Sequence, residues 1–421
     1  MRIWIVSVGE PLPTDGENTR LRRMGNLANC ISENGHSVEW FTVSFDHYKK
    51  IQRCKEDKDI IVNDNFIMHL VYTSGYKKNI SLRRIMQHKA AGRKIYKKMN
   101  SLSKPDIIIA SMEPLEVSSA ATKYGVKNLV PVIVDVRDLW PEIYYEVLPK
   151  RVHFLLKPYV EFCRIILRKT MAAAYSIIGL SDKFLEYGLS FAGREKGILD
   201  RTFPIAYPNY NYSLYEHSFN KYWGNLGIKT TDFIIVFFGN FGKQFNFESI
   251  IEASNLLKDS PSIKFVLCGT GPQLDDVNNR TSSNVIFPGW IEKEQISSMA
   301  SNANLGIAPY INSKNYTQNT PNKFGEYLSA SLPVLVSVSG SMEKALKENH
   351  CGYKYNNGSN LAEIIKNYFN NSEKLVEHSI NARQLYEQEY NGDVAYSKML
   401  DYLIEVNKTY ADNKERIHDT L

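Results

Sequence analysis

Apolar, β-branched runs alternate with amphipathic stretches of helical period through most of the chain. Runs that are apolar at every position suit strands covered on both faces. Their alternation with helices predicts repeated βαβ units and parallel sheets. The first run is Ile3–Val8, then a Pro/Gly loop from Glu10 to Asn18, then a helix over Thr19–Asn34 that Gly35 ends. Further strand-like runs fall at Val38–Val43, Ile107–Ala110, Val130–Val134 and Ser176–Leu180. Tyr207-Pro208-Asn209-Tyr210 breaks the pattern and opens a polar stretch reaching Gly227. The alternation restarts with Phe233–Phe238, a helix over Phe247–Lys258, and runs at Lys264–Cys268, Val285–Phe287, Leu305–Ala308 and Pro333–Ser337. A long helical segment begins near Leu361 and a last helix covers Asp393 to about Tyr410. The pattern predicts two doubly wound, Rossmann-like α/β domains, residues 1–209 and 210–390, and a C-terminal helix in 391–421, which is expected to cross back to the first.

Composition narrows the class. The 421 residues are 43% hydrophobic and 23% charged, the proportions of a globular protein rather than a disordered or fibrous one. No apolar stretch approaches the roughly 18 residues that span a bilayer. The opening MRIWIVSVGEPLP is broken by proline too soon to read as a signal peptide. Five scattered cysteines without a C-x-x-C pair argue for reduced thiols in the cytosol, against zinc or a disulfide framework. Residues 1–210 carry 32 Lys and Arg against 22 Asp and Glu, and the remainder 19 against 23, so the halves are expected to meet different partners.

The richest stretch for chemistry is Gln318-Asn319-Thr320-Pro321-Asn322-Lys323-Phe324-Gly325-Glu326-Tyr327-Leu328. Thr320 or Asn319 can cap a helix with Pro321 at its first position, leaving the following amides aimed out of the helix N-terminus as an anion site. Lys323 beside those amides suits a diphosphate, and Glu326, three residues on, suits a pair of ribose hydroxyls. The same spacing also fits an ordinary surface salt bridge.

With Ala330, Pro333 and Val334, this segment resembles the signature of glycosyltransferase family 4, retaining enzymes of the GT-B fold with two domains facing a central cleft. The resemblance implies ribose binding by Glu326 and diphosphate binding by Lys323. Gln318 stands where the family commonly has a first glutamate, and Leu332 where a glycine is usual. Phe237–Lys243 resembles the first strand and glycine turn of the family's C-terminal domain, placing Asn240, Gly242 and Lys243 at the donor. Many members carry Arg and Lys where this chain has Asn240 and Phe245, a charge that Lys243 could supply. Gly269-Thr270-Gly271-Pro272 resembles the next turn, with Gly271 near the donor. Phe287–Ile291 resembles the loop whose backbone, at Ile291, meets the base, and Trp290 is equally readable as a packing residue. In the first half, Pro11–Arg23 resembles the family's N-terminal glycine loop, with Gly16 as the match and Arg20, Arg22 and Arg23 available to assist. Asp135–Pro141 resembles the R-D-L-W-P element of bacterial polysaccharide enzymes. That resemblance implies that Asp138 orients an acceptor hydroxyl or stabilises developing positive charge; the alternative is a structural pair of Arg137 with Asp135 or Asp138.

Asn65–Pro105 has no Asp or Glu, and ten Lys and Arg lie between Lys77 and Lys104. Arg83, Arg84, Arg93 and Lys94, with the apolar Phe154 and Leu155 of a second basic segment, predict a face for anionic lipid. His47, His69 and His88 have no ligand-spaced partners, and Asp57-Lys58-Asp59 reads as a solvated loop rather than a metal motif, so neither metal nor cofactor is expected.

The expectation is a metal-independent retaining glycosyltransferase of the hexosyl or N-acetylhexosaminyl class. Its donor would be a nucleotide sugar, UDP-linked, and its acceptor a polyprenyl-diphosphate-linked saccharide in O-antigen or capsule synthesis. It would work on the cytoplasmic face of the inner membrane, with Asp138 and Lys323 catalytic. The alternative is a GT-B nucleotide-sugar epimerase acting on the donor alone. A dinucleotide oxidoreductase would need a G-x-G-x-x-G that Val8-Gly9-Glu10-Pro11 does not provide. A nucleic-acid partner is not expected.

Overall fold

The computed structural model describes residues 1–16, 19–209, 212 and 218–418. Glu17 and Asn18 of the first loop, the boundary residue Tyr210 and residues 211 and 213–217 of the polar stretch after it lie outside the described residues. The chain forms two units: Met1–Pro204 with Ala395–Leu421, and Ile205–Val394.

The first unit is built on β1 (Arg2–Val6), β2 (Ser37–Val43), β3 (Lys58–Asn63), β4 (Phe66–Val71), β5 (Ile107–Ser111), β6 (Val132–Val136), β7 (Ser176–Gly179) and β8 (Arg201–Thr202). Their order is β3-β4-β2-β1-β5-β6-β7-β8, parallel except for β3, which pairs antiparallel with β4. The apolar runs become interior strands: Ile3 to Val6 and all of Ile107–Ser111 are buried. Asp57-Lys58-Asp59 is not simply a solvated loop. Asp59 lies on β3, where it faces His69 at 2.8 Å and Lys98 at 2.7 Å, while the other ring nitrogen of His69 lies 2.8 Å from Glu39. Arg2 closes the series on Glu39 at 2.5 Å.

The first helix runs over Arg23–Glu33, four residues later than the periodicity suggests. Its start is set from a distance: the Glu10 carboxylate accepts the Met24 N–H at 3.0 Å, and Arg23 is drawn inward by Asp135. The last helix, Gly392–His418, supplies Tyr402 to the first unit's core, its hydroxyl 2.6 Å from that of Ser176, and Glu405 pairs with Arg201 at 2.5 Å.

The second unit holds β9 (Phe233–Phe238), β10 (Ile263–Cys268), β11 (Val285–Gly289), β12 (Leu305–Ala308), β13 (Val334–Val336) and β14 (Gly352–Lys354) in one parallel sheet, ordered β11-β10-β9-β12-β13-β14. All six residues of β9 are buried, as its unbroken apolar run requires. The helical segment near Leu361 is two helices, Gly358–Asn370 and Ser372–Leu385, parted where the Asn371 side chain caps the second through the Lys374 N–H.

Candidate functional site

In the second sheet, β10 and β11 lie to one side of β9 and β12 to β14 to the other, so the crossovers diverge at the C-terminal ends of β9 and β12. That switch point is where open α/β sheets take ligands. Tyr327 stitches it: its buried hydroxyl accepts the Phe238 N–H at 3.2 Å and donates to the Ile307 carbonyl at 3.1 Å. In the sequence Tyr327 is one position of the motif and nothing more.

Tyr327 belongs to the helix Asn322–Ser329, which Pro321 precedes as the extended N-cap rather than opening as its first residue. The proline fixes the entry, and the Phe324 N–H closes on the Pro321 carbonyl at 2.8 Å, so the amides of Asn322 and Lys323 open the helix. Lys323 turns its ammonium onto the Phe238 carbonyl, over the rings of Phe237 and Phe245 at 5.0 and 5.4 Å. Gly239 permits this approach: it sits at φ +153°, and a Cβ there would lie 2.2 Å from the lysine nitrogen. Glu326 is not a solvated carboxylate. It is 8% exposed and accepts the Tyr207 hydroxyl at 2.7 Å.

The remaining donor-side candidates surround the same strand ends. Asn240 is exposed, its amide oxygen held by Gln244 at 2.8 Å; Gly242 is buried and Lys243 exposed. Gly271 lies in the turn after β10, beside Phe241, whose N–H donates to the Thr270 carbonyl at 2.8 Å. Ile291 is buried after β11, whereas Trp290 is 65% exposed and so is not the packing residue it could have been. Gln318 closes the short helix Lys314–Thr317, its N–H on the Lys314 carbonyl at 3.1 Å.

The first sheet has its own switch point, at the ends of β1 and β5, and a cavity of about 180 Å³ opens there. Val8 and Gly9 follow β1, Ser111 closes β5 and Glu113 follows it, Arg137 and Asp138 follow β6, and all line it. Arg137 pairs with Glu10 and donates to the Ser111 hydroxyl at 3.1 Å, so neither Asp135 nor Asp138 is its ion-pair partner. Asp135 is buried against Arg23 at 2.8 Å, and Arg23 also donates to the Phe203 carbonyl at 3.0 Å. Arg23 is therefore a structural cation, not an aid to the glycine loop. Arg22 stacks on Tyr48, 4.4 Å from the ring. Gly16 is exposed at φ +140°, in a loop that Arg53 holds through both Asp15 oxygens, at 2.5 and 2.6 Å.

Asp138 donates its N–H to the Glu113 carboxylate at 3.1 Å. Burial and the neighbouring Asp138 charge push the Glu113 carboxyl well above the ordinary glutamate range. Glu113 carries no motif and was missed. His47 and His88, distant in sequence, both line the cavity. Burial, then Lys50 and Arg84, bring His47 down to about 4; burial, then Arg84 and His47, bring His88 to about 3.

The basic helix Leu82–Met99 separates its arginines and lysines. Arg83 and Arg93 are exposed, Arg84 turns into the cavity and so away from a lipid face, and Lys94 forms a surface ion pair with Asp57 at 3.0 Å. Leu82 and Met86 are exposed beside them, as are Phe154 and Leu155 on the helix His153–Ala172. Among the described residues no helix is long and apolar enough to cross a membrane.

Residues 219–385 match the family model described as Glycosyl transferases group 1. The second unit carries a group 1 glycosyltransferase domain. Two α/β units on parallel-dominated sheets give the chain the GT-B glycosyltransferase fold. Sucrose-phosphate synthase from Thermosynechococcus elongatus aligns at a TM-score of 0.68 and 15% identity, over 97% of this chain and 99% of that one. HepE from Anabaena, solved in complex with UDP and glucose, aligns at 0.62 and 14%, over 96% and 100%. WaaG, a glycosyltransferase involved in lipopolysaccharide biosynthesis, aligns at 0.62 and 15%, over 96% and 99%. At these identities the likeness is one of fold. No match is found among curated protein sequences. The glycosyltransferase domain contains the Lys323 and Glu326 site, and the family match ends before the last helix begins.

Proposed function

We propose that the chain is a metal-independent, retaining family 4 glycosyltransferase that moves a sugar from a UDP-sugar to a polyprenyl-diphosphate-linked saccharide for surface polysaccharide. The observation that carries the reading is the Lys323 ammonium, held on the Phe238 carbonyl at the switch point of a group 1 glycosyltransferase domain and carried by the first turn of the helix Asn322–Ser329. As the bond from anomeric carbon to diphosphate breaks, the sugar becomes oxocarbenium-like and negative charge grows on the leaving oxygen. A fixed cation and amide dipoles at that oxygen stabilise the transition state more than the ground state. Uridine is favoured because HepE, of the same fold, is solved with UDP. The cavity of the first unit would receive the acceptor, with Asp138 orienting its hydroxyl.

Exposed Arg83 and Arg93, with Leu82, Met86, Phe154 and Leu155, would rest that unit on anionic lipid at the cytoplasmic membrane face. An epimerase acting on the donor alone leaves this amphipathic face without use. The test is transfer from a panel of UDP-, GDP- and dTDP-sugars to a polyprenyl-diphosphate saccharide in acidic vesicles, with the anomeric configuration of the product read by NMR. Transfer from UDP-sugar with an inverted anomer would overturn retention. Equal co-sedimentation of wild type and an Arg83→Glu, Arg93→Glu variant with acidic vesicles would remove the membrane face.

A further inference from the structure

Tyr76 and Arg84 line the first unit's cavity, and the Tyr76 ring carries two cations: the Arg84 guanidinium lies 5.7 Å from its centroid, and the Lys50 ammonium, on a residue outside the cavity lining, lies 4.7 Å from it. Arg84 also lies 5.4 Å from the Trp140 ring. Every polar partner of the pair is neutral. Arg84 donates to the Asn79 carbonyl at 2.8 Å and to His88 at 3.3 Å; Lys50 donates to the Asn79 amide oxygen at 2.6 Å and reaches His47 at 3.5 Å. Among the described residues neither cation has an ion-pair partner, although three carboxylates, Glu113, Glu116 and Asp138, share the cavity with Arg84. Burial and then Arg84 lower the Lys50 ammonium, as two like charges on one ring should, and the Asp46 charge opposes them without reversing the direction. Arg84 inside the cavity and Lys50 at its edge thus meet uncharged imidazoles and aromatic walls without an ion pair, and Asp46 is the carboxylate whose charge acts on Lys50. The carboxylates Glu113 and Asp138 supply an acidic part elsewhere in the cavity.

We propose that Lys50 and Arg84, about Tyr76, form an anion subsite that takes a phosphate or carboxylate carried by the acceptor saccharide. The proposal rests on the reading of this cavity as the acceptor site. A planar guanidinium suits the two oxygens of such a group, and the lysine adds a point charge. The aromatic faces of Tyr76 and Trp140 suit the apolar face of a sugar ring. The subsite selects acceptors: a neutral sugar leaves the cation pair unbalanced, and an acidic or phosphorylated one balances it.

The test is calorimetric titration of the full chain, saturated with UDP to fill the nucleotide site, with inorganic pyrophosphate, D-glucuronate and D-glucose. At least one anion should bind tenfold or more tightly than glucose. Arg84→Gln and Lys50→Gln should each weaken that anion about tenfold and leave UDP affinity unchanged. Preference for pyrophosphate points to a lipid diphosphate, and preference for glucuronate to an acidic sugar. Should Arg84→Gln melt early, Lys50→Gln carries the comparison. Anions that bind no better than glucose, or variants that bind them like wild type, overturn the proposal. Failure of the glycosyltransferase reading would show separately, as wild type that does not bind UDP, and the anion titrations are then read in the same way without it.

Discussion

The Tyr207 hydroxyl donates to the Glu326 carboxylate across 2.7 Å, and both side chains are buried. A carboxylate proposed to hold ribose is thereby also a structural acceptor, reached from a residue 119 positions earlier. Glu326→Gln keeps an acceptor for Tyr207 and should lower the melting temperature by no more than about 3 °C, while raising the UDP-sugar Kd about tenfold. Glu326→Ala should cost about 1–3 kcal/mol in urea unfolding as well, because it takes a hydrogen-bond acceptor from a buried hydroxyl. Unchanged UDP-sugar affinity in the glutamine variant would make Glu326 structural only.

Lys323→Ala should reduce turnover on the order of 10²–10³ and donor affinity much less, the pattern of a group that acts on the leaving diphosphate. Steady-state kinetics separates kcat from KM. EDTA should leave turnover unchanged, and activity that collapses in EDTA and returns with manganese would refute the metal-free mechanism.

Glu113 gives a pH dependence of opposite sign to most carboxylates. Its folded carboxyl is raised by burial and by Asp138, so it favours folding at acid pH and that contribution is lost as pH rises from the ordinary glutamate range through the raised value. Glu113→Gln should therefore be more stable than wild type at pH 8 and no more stable at pH 4, by urea unfolding at the two values. Asp138→Asn, by contrast, should lose about 10²-fold or more in transfer rate if it orients the acceptor hydroxyl.

Glu39 behaves in the ordinary direction. Burial alone would raise its carboxyl, but hydrogen bonds from His69 and Arg2 outweigh burial and bring it down to about 2. Its stabilisation, roughly 3 kcal/mol, is complete above pH 4.5 and lost as pH falls from there towards 2. Glu39→Gln should flatten the acid limb of the stability profile by about that amount. An unchanged limb would show that other carboxylates govern it.

Gly269 tests the second sheet's packing. It lies at φ +140°, and a Cβ there would fall 1.7 Å from the Gly239 carbonyl oxygen, backbone against backbone. Gly269→Ala should cost about 2–4 kcal/mol in urea unfolding and move the Gly239 turn, and with it the Phe238 carbonyl that seats Lys323.

The alternation of apolar runs and helices was enough to read both sheets, because an interior parallel strand such as Phe233–Phe238 must be apolar throughout. Four strands escaped: Lys58–Asn63, because an antiparallel edge strand can open with Lys-Asp; Phe66–Val71, an interior strand whose apolar run is broken by His69; and Arg201–Thr202 and Gly352–Lys354, because two or three residues carry no period. At the site, Lys323 and Glu326 were legible from spacing on one helix. The destinations of adjacent residues were not: Arg83 is exposed and Arg84 enters a cavity, a difference of about 100° around the helix that a run of basic residues conceals. Arg23, Asp135, Glu10 and Arg137 likewise exchange partners over more than a hundred positions, where local pattern has no reach.

The chain leaves the first unit at Pro204 and re-enters it at Ala395. On the ribosome, β7 is made more than two hundred residues before Tyr402 can reach the Ser176 hydroxyl, and the whole second unit is synthesised in between. The older half of the polypeptide is thus the last to be finished. A premature stop shortly after the second unit would injure the half whose own strands and cavity had long since been translated, while sparing the half beside the stop.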